Sequence, residues 1–151
     1  MSPDHTPRYD GPLALDTALS ALALAEFAEA AFTRDGPRAD VEYRDLGLAA
    51  ATGGRIGARH IRAIAPFPGE TGWHWHDMNC HVVFVLRGWV SFRYAGKDET
   101  VTVRERACLS QPAGVPHNVV GRSDDLEIIE INIPAAFGTM DAPEPGRGGS
   151  S

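Results

Sequence analysis

The chain has 151 residues, enough for one hydrophobic core and short for two, so a single domain is expected. Its formal charge of -6 and the lack of any lysine- or arginine-rich run argue against a nucleic-acid partner. The two cysteines, Cys80 and Cys108, lack Cys-x-x-Cys spacing and fit free thiols in a cytoplasmic protein, with a Cys80 to Cys108 bridge left open.

Residues 1–12 form a polar arm that carries His5, a position with no evident role. The alanine- and leucine-rich stretch Leu13 to Phe32 predicts a helix by propensity, capped by Asp16 and followed by Gly36. Leu15, Leu19 and Leu22 would share one face and Leu24 and Phe27 another, packing the helix on the domain or on a second subunit. Asp16, Glu26 and Glu29 interrupt this run and no cationic region precedes it, so neither a signal peptide nor a membrane span is expected. Residues 1–40 are thus read as an arm and helix.

From Val41 the periodicity turns to strands: Val41 to Leu46, Arg55 to Ala65, then a segment rich in histidine after the turn Pro66-Phe67-Pro68-Gly69. Val82 to Leu86 is apolar on both faces, and Trp89 to Tyr94 with Glu99 to Arg104 reads as a hairpin around Gly96-Lys97-Asp98. Leu126 to Ile133 is the last predicted strand. Many short strands with Gly and Pro turns indicate an all-β sandwich or barrel over residues 41–137, followed by a tail, 138–151, too polar to order itself.

Residues two apart on a strand point to one face, so His74 and His76 in Trp73-His74-Trp75-His76 aim two imidazoles at one spot. Five residues after His76 stands His81, then Gly88; further on, Pro112-Ala113-Gly114-Val115-Pro116-His117 ends on a fourth histidine. This resembles the paired motifs of the cupin superfamily. His74, His76 and Gly88 match the first motif, with Pro68-Gly69 near its leading glycine and His81 in the slot of its glutamate. Pro112, Gly114 and His117 match the second, with Arg106 in place of its leading glycine and Gly121 in place of its asparagine.

The resemblance covers residues 55 to 134 and implies a cupin jelly-roll β-barrel. It also implies one divalent transition metal held by His74, His76, His81 and His117. Imidazole donors suit iron first, with zinc, nickel, manganese or copper as alternatives. The ligands must be neutral, so metal affinity is expected to fall as the pH drops through about 6.5. A histidine in the glutamate slot either completes the shell or hydrogen-bonds beside it. Without a carboxylate ligand the ion's charge stays uncompensated and draws anions.

Strand parity supplies the pocket walls. If His81 faces inward, so do Val83 and Val85. In the last strand, Ile128, Glu130 and Asn132 share one face and Ile129, Ile131 and Ile133 the other; an inward Glu130 could orient a histidine or act as a general base. Ser110 and Gln111 could supply hydrogen bonds. Trp73 and Trp75 are expected on the sheet's other face, and His60 reads as an ordinary surface or core histidine.

The leading functional expectation is an iron(II) dioxygenase-type oxidoreductase acting on a small anionic or enolisable substrate. Alternatives are a non-catalytic metal-bound binding module or sensor, or a metal-dependent isomerase or lyase. Phe84 and Leu86, opposite the cavity side, together with the helix stripe, point to a homodimer.

Overall fold

The computed structural model describes residues 21–146. Ten strands account for most of the chain after residue 40: β1 (Val41–Asp45), β2 (Gly57–Ala63), β3 (His74–His76), β4 (Cys80–Arg87), β5 (Trp89–Tyr94), β6 (Val101–Arg104), β7 (Cys108–Gln111), β8 (His117–Arg122), β9 (Glu127–Ile133) and β10 (Thr139–Asp141). They form two antiparallel five-stranded sheets, one in the order β1-β2-β9-β4-β7 and the other β10-β3-β8-β5-β6. The inward side chains of both sheets meet in one cluster. Val85 and Leu126 pack there against Val90, Phe92, Tyr94 and Val103. Alternation along β4 decides which side is inward, since His81, Val83 and Val85 are buried while Phe84 and Leu86 are exposed.

Several turns need the backbone freedom of particular residues. Gly88, between β4 and β5, has φ 76°, and a Cβ there would collide with the Ser123 side chain, whose Oγ accepts the Trp89 N–H at 2.9 Å. Arg106, which takes the place of the second motif's leading glycine, adopts the left-handed backbone itself, with φ 68°. That conformation costs a non-glycine residue roughly 1–2 kcal/mol, and the Arg106 N–H to Val85 carbonyl bond at 2.8 Å helps to hold it.

The end of the sandwich away from His117 is closed by a buried ion pair. Arg122, at the far end of β8, donates to Asp40 at 2.7 Å and to the Ala65 carbonyl at 2.9 Å, which ties the two sheets together. Breaking such a pair is expensive because the remaining charge stays buried.

The helix expected over Leu13 to Phe32 is not formed in its described part. Residues 21–28 are irregular, and Glu29–Ala31 make a single 3-10 turn. Contacts outweigh propensity here. Thr33 and Tyr43 exchange backbone hydrogen bonds at 2.7 and 2.8 Å, and Phe27 and Phe32 lie 6.4 and 5.1 Å from the His60 ring, with Arg44 and Arg62 over the aromatic faces. Leu22 and Leu24 are left exposed at 101% and 81%. Asp16, Leu15, Leu19 and His5 lie outside the described residues.

At the other end, residues 139–141 are a strand within the segment read from its polarity as a disordered tail. Backbone pairing with β3 orders them without apolar burial. The cysteines are free. Cys108 pairs across from Phe84, four residues along β4 from Cys80, which puts the two thiols roughly 13 Å apart, beyond disulfide reach. Among the described residues no helix is long and apolar enough to cross a membrane.

Candidate metal centre

Two strands of the second sheet bring three imidazoles together. His74 and His76 project from β3 with the parity of a strand, and His117, the first residue of β8, pairs directly with His74. The turn after Pro112 delivers it there, with Gly114 at φ 67°. Ring centroids are 4.5 Å apart for His74 and His117, 5.0 Å for His74 and His76, and 5.1 Å for His76 and His117. One ring nitrogen from each lies within 4.8 Å of those of the other two.

Hydrogen bonds decide which nitrogens are available. His74 Nδ1 donates to the Gly72 carbonyl at 2.8 Å and His117 Nδ1 to the Val115 carbonyl at 3.1 Å, while His76 Nδ1 bonds the Thr139 hydroxyl at 2.8 Å. A carbonyl only accepts, so His74 and His117 must carry their protons on Nδ1. Their Nε2 lone pairs are left free, as a metal ligand requires. His76 and His117 are moreover held neutral: burial first, then the neighbouring rings, pull both down to about 4, with the Val115 carbonyl partly opposing this for His117. Neutral, outwardly anchored and convergent, the set fits a transition metal rather than an oxygen-preferring ion.

His81 and Glu130 stand next to this triangle. The His81 ring is 5.4 Å from His76, but its Nε2 faces Glu130 Oε2 at 3.4 Å, without the alignment of a full hydrogen bond. Glu130 pairs across β9 and β4 with buried Val83 and so points inward, and its other oxygen accepts from Arg59 at 2.8 Å. Burial alone would raise the Glu130 carboxyl; His81 and Arg59 overcome this and hold it at about 2.

Arg59 and Thr139 escaped the sequence reading. Arg59 shares the inward parity of Ile61, a signal present in β2, whereas nothing in the sequence announced that Thr139 would reach His76. His60 is buried on the opposite face of β2, where its Nδ1 accepts from Arg44 at 3.2 Å, and does not approach the centre. Trp75 alternates with the two ligating-type histidines and pairs with Met140, while Arg93 lies over Trp73 at 5.7 Å.

A small internal pocket of about 10 Å³ is bordered by His76, His81, His117, Gln111 and Met78. Met78 is also a wall of a larger open cleft of about 560 Å³, between Asp77–Asn79 and the Pro134–Gly138 loop, where Phe137 packs edge-on against His76 at 5.3 Å. Met78, with its flexible thioether, and Phe137 thus stand between the imidazole cluster and the outer cleft.

The Cupin domain family matches residues 63–132, the span that holds all four histidines and Glu130. That span, just under half of the chain, is a cupin domain. Solved structures agree on its fold. KdgF from Halomonas sp. superposes with a TM-score of 0.52 at 14% identity, over 68% of this chain and 86% of that one. Oxalate decarboxylase from Bacillus subtilis gives 0.52 at 15% identity, and this chain spans only 28% of its length. A cupin sugar phosphate isomerase from Silicibacter pomeroyi gives 0.52 at 18% identity, over 70% of this chain and 67% of that one. No curated protein matches the sequence. These likenesses establish architecture; chemistry has to be argued from the site.

Proposed function

We propose that this cupin is a metal-dependent oxidoreductase of the dioxygenase type, with iron(II) held by His74, His76 and His117 and a small anionic or enolisable organic compound as substrate. The observation that carries this reading is the convergence of one ring nitrogen from each of three imidazoles whose Nδ1 atoms are already engaged. Iron would supply Lewis acidity and redox chemistry toward dioxygen. The chain's own part is to bind and orient. Its three neutral donors add no negative charge that would repel an anion, and the apolar surfaces of Met78 and Phe137 limit water at the entrance. Glu130, paired with Arg59, serves as the carboxylate partner of His81 and not as a proton acceptor, and His81 is the fourth donor once its ring turns from Glu130.

A second reading is a non-catalytic binding or sensor cupin, in which the same three imidazoles hold an ion without reaction. Elemental analysis of untagged protein followed by oxygen uptake on diketones, phenolics and hydroxy acids separates the two. Bound iron with uptake supports the oxidoreductase; bound zinc without uptake supports the module.

We also propose that the chain works as a homodimer. Phe84 and Leu86 are 36% and 41% exposed, and Phe84 lies beside Ile129 on the outer face of the first sheet. An uncovered apolar patch of this kind favours self-association. Sedimentation should give a dimer, and Phe84→Asp with Leu86→Asp should shift it to monomer. A wild-type monomer at high concentration would refute this.

A further inference from the structure

Directly paired residues of neighbouring antiparallel strands project to the same face. His81 of β4 pairs with Gln111 of β7 on one side and with Asn132 of β9 on the other, so the three stand in a row on the inner face. All three are deeply buried, at 5% exposure for Gln111, 7% for His81 and 3% for Asn132. The Asn132 Nδ2 donates to the Ala135 carbonyl at 3.4 Å, while its Oδ1 has no partner among the described residues. Gln111 differs in position. It borders the same pocket as His76, His81 and His117, and its Oε1 has no partner among the described residues.

A buried amide oxygen without a partner is destabilising, and a leucine of similar volume would avoid that penalty. Such a group is accounted for when it serves a ligand. What the pocket lacks fixes the ligand's chemistry. The three imidazoles would give their lone pairs to a metal, which would accept an oxygen of the ligand, whereas Gln111 offers a hydrogen-bond acceptor at the same pocket. A ligand that satisfies both places an oxygen on the metal and carries an adjacent O–H.

We propose that Gln111 is a specificity-determining residue whose side-chain carbonyl accepts a hydrogen bond from a hydroxyl next to the metal-binding oxygen of the substrate, which assigns the site to small α-hydroxy acids and α-hydroxy carbonyl compounds. The assignment rests on the three-imidazole centre proposed above. It narrows the substrate class, since a simple carboxylate or an unhydroxylated diketone leaves the Gln111 oxygen unsatisfied. A site built to hydrogen-bond a hydroxyl discriminates strongly against the analogue that lacks it.

The test uses the full chain loaded with Co(II), whose visible bands report ligand binding, with glycolate and acetate as probes. The Gln111→Leu variant should bind Co(II) as the wild type does. Its metal-free form should melt at the wild-type temperature or above, because replacing an unpaired buried polar group with an apolar one of similar size is nearly neutral or stabilising. Glycolate affinity should fall about tenfold, the size of one lost hydrogen bond, while acetate affinity changes by less than about twofold.

Equal loss for both probes, no loss for either, no glycolate binding by the wild type, or a melting temperature lowered by several degrees would each overturn the proposal. If the leucine variant fails to fold, Gln111→Met repeats the measurement with a side chain of the same length, and failure of both assigns Gln111 a structural role instead. Absence of Co(II) uptake removes the metal reading and this inference with it. Co(II) uptake without hydroxyl discrimination removes this inference alone.

Discussion

Replacing His117 by alanine is expected to lower the affinity for a divalent transition metal by more than about a hundredfold, because changes to groups merely orienting a ligand already cost about 10–100-fold. His74→Ala and His76→Ala should do the same, as each removes one of three convergent nitrogens. His81→Ala should cost less, since the three anchors persist and the His81 ring is engaged with Glu130. Thr139→Val should fall between these and the wild type, by releasing His76 Nδ1 while keeping its Nε2. Iron or copper titration followed by tryptophan emission gives the readout, because Trp75 sits on the strand between two of the ligands and should be quenched on loading. A His74, His76 double variant that retains a full equivalent of metal would sink the centre as drawn. A His81 variant as weak as His117→Ala would instead make His81 an equal member of the first shell.

The strand pattern was legible because its period is short and local. Parity grouped His81 with Val83 and Val85, and Ile128 with Glu130 and Asn132, but left open which face of β9 is inward; pairing with β4 decides that. Of the four histidines expected at one site, His74 and His76 were legible from strand parity and His117 from the resemblance to the second cupin motif, while His81 stands beside the cluster of three. The misreadings arose where long-range contacts set the outcome. In residues 21–32 helix propensity favours a helix, but the pull of His60, Arg44 and Arg62 on Phe27 and Phe32 comes from strands that propensity does not see. Thr139 orders itself on the free edge of β3 through backbone bonds, which any sequence can make. Arg106 shows the converse. A glycine slot in the motif marks a backbone need, φ above zero, and the chain meets that need with an arginine.

The metal-free protein should lose stability as the pH falls from about 6.5 to about 4, the interval between the histidine value expected in the unfolded chain and the value held in the fold. The sign follows from linkage. Burial and the neighbouring imidazoles depress His76 and His117, so the unfolded chain takes up protons first. The stability that depends on their neutral forms is complete above 6.5 and drains away as the folded value is approached. Glu130 is depressed as well and contributes in a separate window, below its ordinary 4.5 and down to about 2, where loss of its charge ends the pairing with Arg59. His60, also lowered by burial, adds to the histidine window, so a His76→Gln, His117→Gln double variant is needed to isolate the centre. In that variant the melting temperature should fall less steeply between pH 7 and pH 4 than in the wild type, about the range histidine can sense. Because the fold already keeps two of the rings neutral down to about 4, metal retention should extend below the 6.5 expected of free imidazole. A wild-type melting temperature constant from about pH 7 to pH 4 would show that these rings are not held neutral by the fold, and the physical basis for an all-imidazole metal site would go with it.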